Sequence, residues 1–474
     1  MKFSRSVLYL FFVSGIIVSA VIAQLPQSPQ QKFKSIHQIE WEQHKGFVPK
    51  QLPPLFKGTP VKLQPRANPP SKEIFGYLPF WVYPNYPNLN YDLLTTIAYF
   101  AAEMDDRGNL TNLHNWPAAG LVNMAHSKGV RVVLTAINFE PPSIASVLSD
   151  PTRRSRLINN LLNEVKRAHA DGVNIDFEGV PGDQRINLLT FMTELTDAFH
   201  AQIPGSFVTI FTPAVDWNDA FDYFSLAQVT DGLVIGGYDY HWKTGPTAGP
   251  VAPLTGNRWG FFSVTWTLGD YLTKTAGNVE KLILGVPFYG FEWPTVSDAL
   301  EAQTTDVGTT LFYNTAYVNA QQYGRLWDQE SQTPWYKYND GQWHQGWYDD
   351  SLSLALKFNL VKEKSLKGIG IWALTYDGER PELQGAMASA FGANSAPLKP
   401  LSFYVVNIGD GRVKISVQPA TGATGYKIYQ SFDAQNFKGT IYPGATNILA
   451  NLSMDSTYYF KISAVNGNGE SQTT

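Results

Sequence analysis

Asp171-Gly172-Val173-Asn174-Ile175-Asp176-Phe177-Glu178 is the stretch on which the fold and the chemistry of this chain turn. Side chains on a strand alternate faces with period two, so Asn174, Asp176 and Glu178 point one way and Val173, Ile175 and Phe177 the other. A strand whose apolar face meets helices then aims two carboxylates and an amide towards the middle of a fold, where their burial is costly. For such a pair alone, an edge strand with one wet face is the competing reading. The surrounding sequence decides against it.

Outward from this strand, short runs of β-branched and aromatic residues alternate with helical patterns, the mark of repeated βα units. The strand candidates are 74–78, 96–100, 131–137, 172–177, 207–212, 232–238, 281–288 and 368–374. Eight such units predict an α/β fold, a (β/α)8 TIM barrel, over residues 72–393. The carboxylates fall at the C-terminal end of its fourth strand, where barrel enzymes place catalytic groups. Asp150 caps a helix that Pro151 opens, with Leu157, Leu161, Leu162, Val165 and Ala168 on one face; Leu188, Met192, Leu195 and Phe199 repeat at helical spacing in another. The alternation breaks at about 290–348, a small insertion after strand seven in which Asn339, Asp340 and Gly341 form a hairpin turn between aromatic runs. Residues 397–474 show only short alternating strands and predict an all-β, immunoglobulin-like sandwich.

At the other end, Lys2 and Arg5 precede an apolar run, and small residues lead up to Gln24, so residues 1–23 read as an export signal and the protein as secreted, from a bacterial source. Residues 24–71 are rich in Pro and Gln and read as a tether carrying one short helix at 36–44. No later stretch is long and apolar enough to span a membrane. Lys plus Arg at 36 against Asp plus Glu at 40 gives a net charge of −4, too weak a field to favour nucleic acid or an anionic surface. Cysteine is absent, which excludes disulfides, thiolate metal sites and catalytic thiols. The eight histidines show no metal-ligand spacing, so no metal and no cofactor are expected, and His241 is read as structural or substrate-facing. With 13 Trp and 24 Tyr, the chain has ample flat apolar faces for stacking on sugar rings.

DGVNIDFE resembles the D-G-x-D-x-D-x-E signature of glycoside hydrolase family 18, the chitinases and their relatives. GGYDYHW (236–242) is similar to that family's sixth-strand segment, KLILGVPFYG (281–290) to its seventh, GIGIWALTYDG to its eighth-strand tryptophan segment, and GYLPFW around Tyr77 to its first strand. The resemblance implies that Glu178 protonates the glycosidic oxygen, and that Asp176 orients and stabilises the acetamido group of the substrate, which serves as nucleophile. It further implies that Tyr238 donates its hydroxyl to that acetamide, Asp239 contacts sugar hydroxyls and Trp372 floors the cleaved sugar. Asn174 and Tyr77 join the substrate-binding set, with Trp81 and Trp293, and with Trp217 and Trp242, as loop platforms for stacking. Asp176 is expected to carry the charge while Glu178 stays protonated, because two adjacent carboxylates repel as anions.

Three positions depart from the family pattern. Asn174 stands where Asp is usual, and as a neutral neighbour it is expected to donate an amide hydrogen bond to Asp176. Gly236 replaces Met, and Phe291 replaces a basic residue. The form N-I-D-F-E with Gly179 following resembles the branch that includes peptidoglycan N-acetylglucosaminidases. The C-terminal region resembles a fibronectin type III domain, with YKIYQS as its third strand, a tyrosine-corner spacing from Leu452 to Tyr458 and a last strand expected to be missing or degenerate at Thr474. The expected protein is a monomeric, secreted, retaining hydrolase of β-1,4-linked N-acetylglucosamine chains, chitin first and peptidoglycan second, with a non-catalytic sugar-binding barrel as the alternative.

Overall fold

A computed structural model describes residues 33–48 and 59–474, except 379, 393–396, 398, 401, 419, 421–422, 424, 443–444, 451, 454 and 467–468. The expected export signal at 1–23 lies outside the described residues. The eight expected strands all form: β1 (Glu73–Pro79), β2 (Thr96–Met104), β3 (Arg131–Asn138), β4 (Gly172–Phe177), β5 (Phe207–Pro213), β6 (Gly232–Gly236), β7 (Leu282–Pro287) and β8 (Gly368–Trp372). They pair in parallel in chain order, and the barrel closes where β1 meets β8, Glu73 opposite Gly368, and β2, Phe75 opposite Thr96.

Helices cover the outside through apolar stripes. In Pro151–Ala168 the Asp150 carboxylate accepts from the Thr152 amide at 2.8 Å, Pro151 supplies the first turn, and Leu157, Leu161, Leu162 and Val165 are buried. Arg185–Gln202 buries Leu188, Met192, Leu195 and Phe199 in the same way. β4 sends Val173, Ile175 and Phe177 into this layer and Asn174 and Asp176 into the barrel; all five are buried.

β6 is shorter than the sequence suggests. After Gly236 the chain tightens, the Gly237 amide donating to the Ile235 carbonyl and the Tyr238 amide to the Gly236 carbonyl, both at 2.8 Å. A Cβ on Gly237 would stand 2.4 Å from the Gly285 carbonyl oxygen of β7, so glycine permits this close turn, which frees Tyr238 from the ladder.

The insertion after β7 is a five-stranded antiparallel sheet with one helix, Tyr313–Tyr323. Its hairpin joins Thr333–Asn339 to Trp343–Tyr348, with Trp335 stacked on Trp347. The C-terminal region comprises two antiparallel sheets, of three and four strands, around Ile415, Val417, Tyr426, Ile428, Ile462 and Ala464. Its final segment does pair: Glu470 lies opposite Val465, and the Thr474 amide donates to the Ile462 carbonyl at 2.8 Å. Of the two expectations, a missing or a degenerate last strand, the structure has the second: a two-residue strand, Gly469–Glu470, extended by this backbone pair.

Candidate active site

Every strand contributes its C-terminal end to one mouth of a parallel barrel, and there β1, β4, β6, β7 and β8 bring their side chains together. Glu178 follows the last residue of β4, and Gly179 beyond it has φ +73°, a left-handed turn that lifts the chain off the strand and suits glycine. Asp239 also sits at positive φ, +60°, a conformation that Asp tolerates, which turns its carboxylate back towards the mouth. Trp372 ends β8 and is fully buried.

The mouth is occupied by the chain itself. Residues 33–48 carry a helix, α1 (Ile36–His44), whose N-terminus enters the barrel. Ser35 caps it, its Oγ accepting from the Gln38 amide at 3.1 Å while donating to Glu178 Oε1 at 2.8 Å. The Ile36 amide donates to Asp239 Oδ2 at 2.8 Å, and Tyr289 donates to the other oxygen, Oδ1, at 2.5 Å. His37 hydrogen-bonds through Nδ1 with Asp176 Oδ2 and through Nε2 with the Tyr238 hydroxyl, each at 2.8 Å. Its ring lies on the Trp372 indole, centroids 3.8 Å apart. Glu40 Oε2 accepts from Trp372 Nε1 at 2.8 Å and from the Tyr376 hydroxyl at 2.7 Å.

Burial sets the protonation states. It pushes the Glu178 carboxyl up to about 8, with the neighbouring Asp176 adding to the rise, so Glu178 holds its proton at neutral pH. Glu40 is likewise raised to about 8 and Asp239 to about 6, burial being the main cause in each. The contact between His37 and Asp176 has ion-pair geometry, yet burial lowers His37 to about 4 and raises Asp176 well above its ordinary value. With the helix in place, burial disfavours the charged form of both partners of this hydrogen bond. His37, Asp176 and Glu178 each offer a ligand atom, all within 4.8 Å of one another, a set of donors that suits a divalent cation. The 2.8 Å separation between Nδ1 and Oδ2 is that of a hydrogen bond; two ligands on a tetrahedral zinc, with bonds of about 2 Å, stand further apart.

Asn174 takes other partners than the expected one. Its amide donates to Thr209 Oγ1 at 2.9 Å and its oxygen accepts from the Tyr77 hydroxyl at 3.2 Å, while Asp176 Oδ1 has no hydrogen-bond partner. The register explains this, since Asn174 lies directly opposite Thr209 on β5. Trp81 lies over the mouth, its Nε1 donating to the Tyr376 hydroxyl at 3.1 Å and its ring stacked against His44 of α1. Trp293 is elsewhere: it is fully buried in the insertion strand Tyr289–Thr295, with Nε1 donating to the Lys243 carbonyl, and presents no face for stacking. His241 is half-buried and hydrogen-bonds with the Pro250 carbonyl. Tyr289 and Tyr376 were not singled out from the sequence, although both fall inside motifs that were.

Beside Glu178 a cavity of about 320 Å³ remains open, lined by Asp216, Trp217, Trp242 and Phe262 and, from the N-terminal segment, by Phe33 and Ser35. The arrangement thus has a floored pocket, a protonated acid at its edge and an aromatic groove beyond, which is what transfer of a proton to a bond lying across Glu178 requires.

Residues 73–377 match the family model described as glycosyl hydrolases family 18. Di-N-acetylchitobiase of Homo sapiens is 31% identical over 293 residues, covering 55% of this chain and 71% of that protein. The cortical fragment-lytic enzyme of Bacillus subtilis (strain 168) is 25% identical over 297 residues, covering 59% of this chain and 64% of that protein. Chitinase ChiA74 from Bacillus thuringiensis shares the fold at a TM-score of 0.60, with 18% identity and coverage of 85% of this chain and 84% of that one.

Proposed function

This chain belongs to glycosyl hydrolase family 18, and from that premise we propose that it hydrolyses β-1,4 N-acetylglucosaminide bonds with retention, using the acetamido group of the substrate as nucleophile. The observation that carries the reading is the placement of Asp176 and Glu178 on one face of β4, with the Tyr238 hydroxyl and the Trp372 ring closing the same pocket. Glu178, whose carboxyl burial raises to about 8 with α1 docked, is the proton donor to the leaving oxygen. Asp176 and Tyr238 grip the acetamide, so that its carbonyl oxygen attacks the anomeric carbon as the glycosidic bond breaks and the leaving oxygen takes the Glu178 proton. Water then opens the oxazolinium intermediate while Glu178 recovers a proton, and Asp176 balances the transient positive charge. Asp239, held by Tyr289, binds sugar hydroxyls.

Chitin oligomers are the first substrate class. A peptidoglycan glycan is the second reading, favoured by Gly179 after the acid and by the relative named cortical fragment-lytic enzyme. Retention of Glu178, Asp176 and Tyr238 speaks against a purely sugar-binding barrel. No helix among the described residues is long and apolar enough to cross a membrane, and the export reading of residues 1–23 rests on their charge and hydropathy. We read the C-terminal sheets as a fibronectin type III-like spacer; the Ser453 amide donating to the Tyr458 hydroxyl at 2.8 Å supports the tyrosine-corner assignment.

Product analysis on chitin oligomers and on purified peptidoglycan, side by side, tests the substrate class. Release of N-acetylglucosamine-terminated products from chitin oligomers is expected. Products from peptidoglycan alone would transfer the assignment to the second reading.

A further inference from the structure

Each residue that the proposed mechanism assigns to substrate already has a partner in residues 35–40, Asp176 through Oδ2 alone. Glu178 Oε1, aimed at the glycosidic oxygen, accepts the Ser35 hydroxyl at 2.8 Å. Asp176 and Tyr238, the acetamide pair, hold the two nitrogens of the His37 ring. Asp239, the sugar-hydroxyl acceptor, takes the Ile36 amide, and Trp372, the sugar floor, carries the His37 imidazole. Glu40 then reaches past the ring to the Trp372 and Tyr376 donors, and Trp41 Nε1 donates to Glu103 at 3.0 Å. An imidazole with hydrogen-bonding nitrogens on both edges and a flat face on an indole repeats the polar and stacking pattern of an N-acetylated sugar.

The fit is also deep. His37 is wholly buried and Glu40 is 1% exposed, so no sugar can share the pocket with them. Burying a histidine and a carboxyl is unfavourable unless both find partners, and here the partners are the substrate-binding groups themselves. Substrate and segment therefore compete. The aromatic groove beyond Glu178 keeps an open cavity, although Phe33 of the segment lines it edge-on to Trp242, and the other end of the segment stacks His44 on Trp81.

From this one-for-one occupation we infer that residues 33–48 are an internal inhibitor, a sugar-mimicking plug that keeps the enzyme latent until α1 leaves the cleft. The inference rests on the reading of the cleft as an N-acetylglucosaminide site. A tethered segment acts at an effective concentration on the order of millimolar. A free peptide with a dissociation constant of about 0.1 mM thus corresponds to roughly tenfold latency, since apparent affinity for substrate falls with the fraction of open molecules.

The test compares the full chain with its His37→Ala/Glu40→Ala double variant. The variant should show kcat/KM on an aryl chitobioside raised about tenfold or more, and a synthetic peptide of residues 33–48 should restore the inhibition competitively. A thiazoline mimic of the cyclised intermediate should bind the variant more tightly than the wild type by the same factor. Tighter thiazoline binding with no turnover by either protein would uphold the plug and overturn the hydrolase reading; equal binding and equal rates in both would overturn the plug. Hydrogen exchange on the wild-type chain gives a measurement free of variants: amides of 36–44 should be protected and lose protection at saturating chitotriose. Exchange at the rate of an unstructured peptide would equally overturn the inference.

Discussion

The imidazole of His37 lies over the indole of Trp372, centroids 3.8 Å apart and planes 27° from parallel, although 335 positions separate the two residues in the chain. A sugar ring held on the same indole needs the same volume, so activity and occupancy by α1 are two sides of one equilibrium.

Catalysis in the opened protein depends on Glu178. Placing Glu178→Gln in the His37→Ala/Glu40→Ala background removes the proton donor and should lower kcat by roughly two to four orders of magnitude, with thiazoline binding largely kept. Steady-state kinetics on an aryl chitobioside checks this. Retention of more than a tenth of the parent rate would move the acid to another residue.

The acetamido group supplies the nucleophile. Chains deacetylated at the cleaved sugar should be inert, whereas the thiazoline mimic should inhibit, because it resembles the cyclised intermediate more than the substrate. Equal turnover of acetylated and deacetylated oligomers would require a protein nucleophile instead.

Asn174→Asp puts a third carboxyl on the inner face of β4. Tyr77 can still donate to it, but the Thr209 hydroxyl must turn from acceptor to donor. Burial and the nearby Asp176 raise the pKa of the new acid above its unfolded value, so its penalty is small below the ordinary Asp range and grows as pH rises above it. The melting temperature relative to wild type should therefore fall more at pH 8 than at pH 4, and the acid limb of the kcat/KM profile should shift. Superimposable profiles and melting curves would show position 174 to be electrostatically silent.

Glu40 links the plug to pH. Docked, its carboxyl is raised to about 8 by burial, against the opposing hydrogen bonds from Tyr376 and Trp372, with Asp239 adding to the rise and Lys243 opposing it. The docked segment keeps a Glu40 proton that the free segment has lost, so the contribution of Glu40 to docking is full below the ordinary carboxyl range and is lost as pH rises towards 8, whereas His37, lowered to about 4, opposes docking as pH falls below its ordinary value. Inhibition of the double variant by peptide 33–48 should weaken between about pH 5 and pH 8 more steeply than inhibition by the same peptide carrying Glu40→Gln. Parallel curves would show that Glu40 docks with an ordinary pKa.

The barrel was legible because its evidence is local. Alternation along β4, the Asp150-Pro151 cap and the apolar repeats of two helices each lie within a few residues of one another. Trp293 misled because its loop-like surroundings hide a strand in which Tyr289, Phe291 and Trp293 all turn inward. The partners of Asn174 depended on register with β5, which no single strand encodes. The plug was beyond reach for a similar reason. Ser35 and Gln38 mark a helix start, but the buried partners of His37 and Glu40 are polar groups between 139 and 336 positions away, so the segment shows no apolar stripe that would announce a docked face.

Anomeric proton NMR of chitotriose hydrolysis by the His37→Ala/Glu40→Ala variant tests most directly the claim that the uncovered pocket works through the acetamido group of the substrate. The β-anomer of the new reducing end should form first and only later equilibrate with the α-anomer. Initial appearance of the α-anomer would mean inversion by a water activated in the pocket, and would contradict the roles given to Asp176, Tyr238 and Glu178.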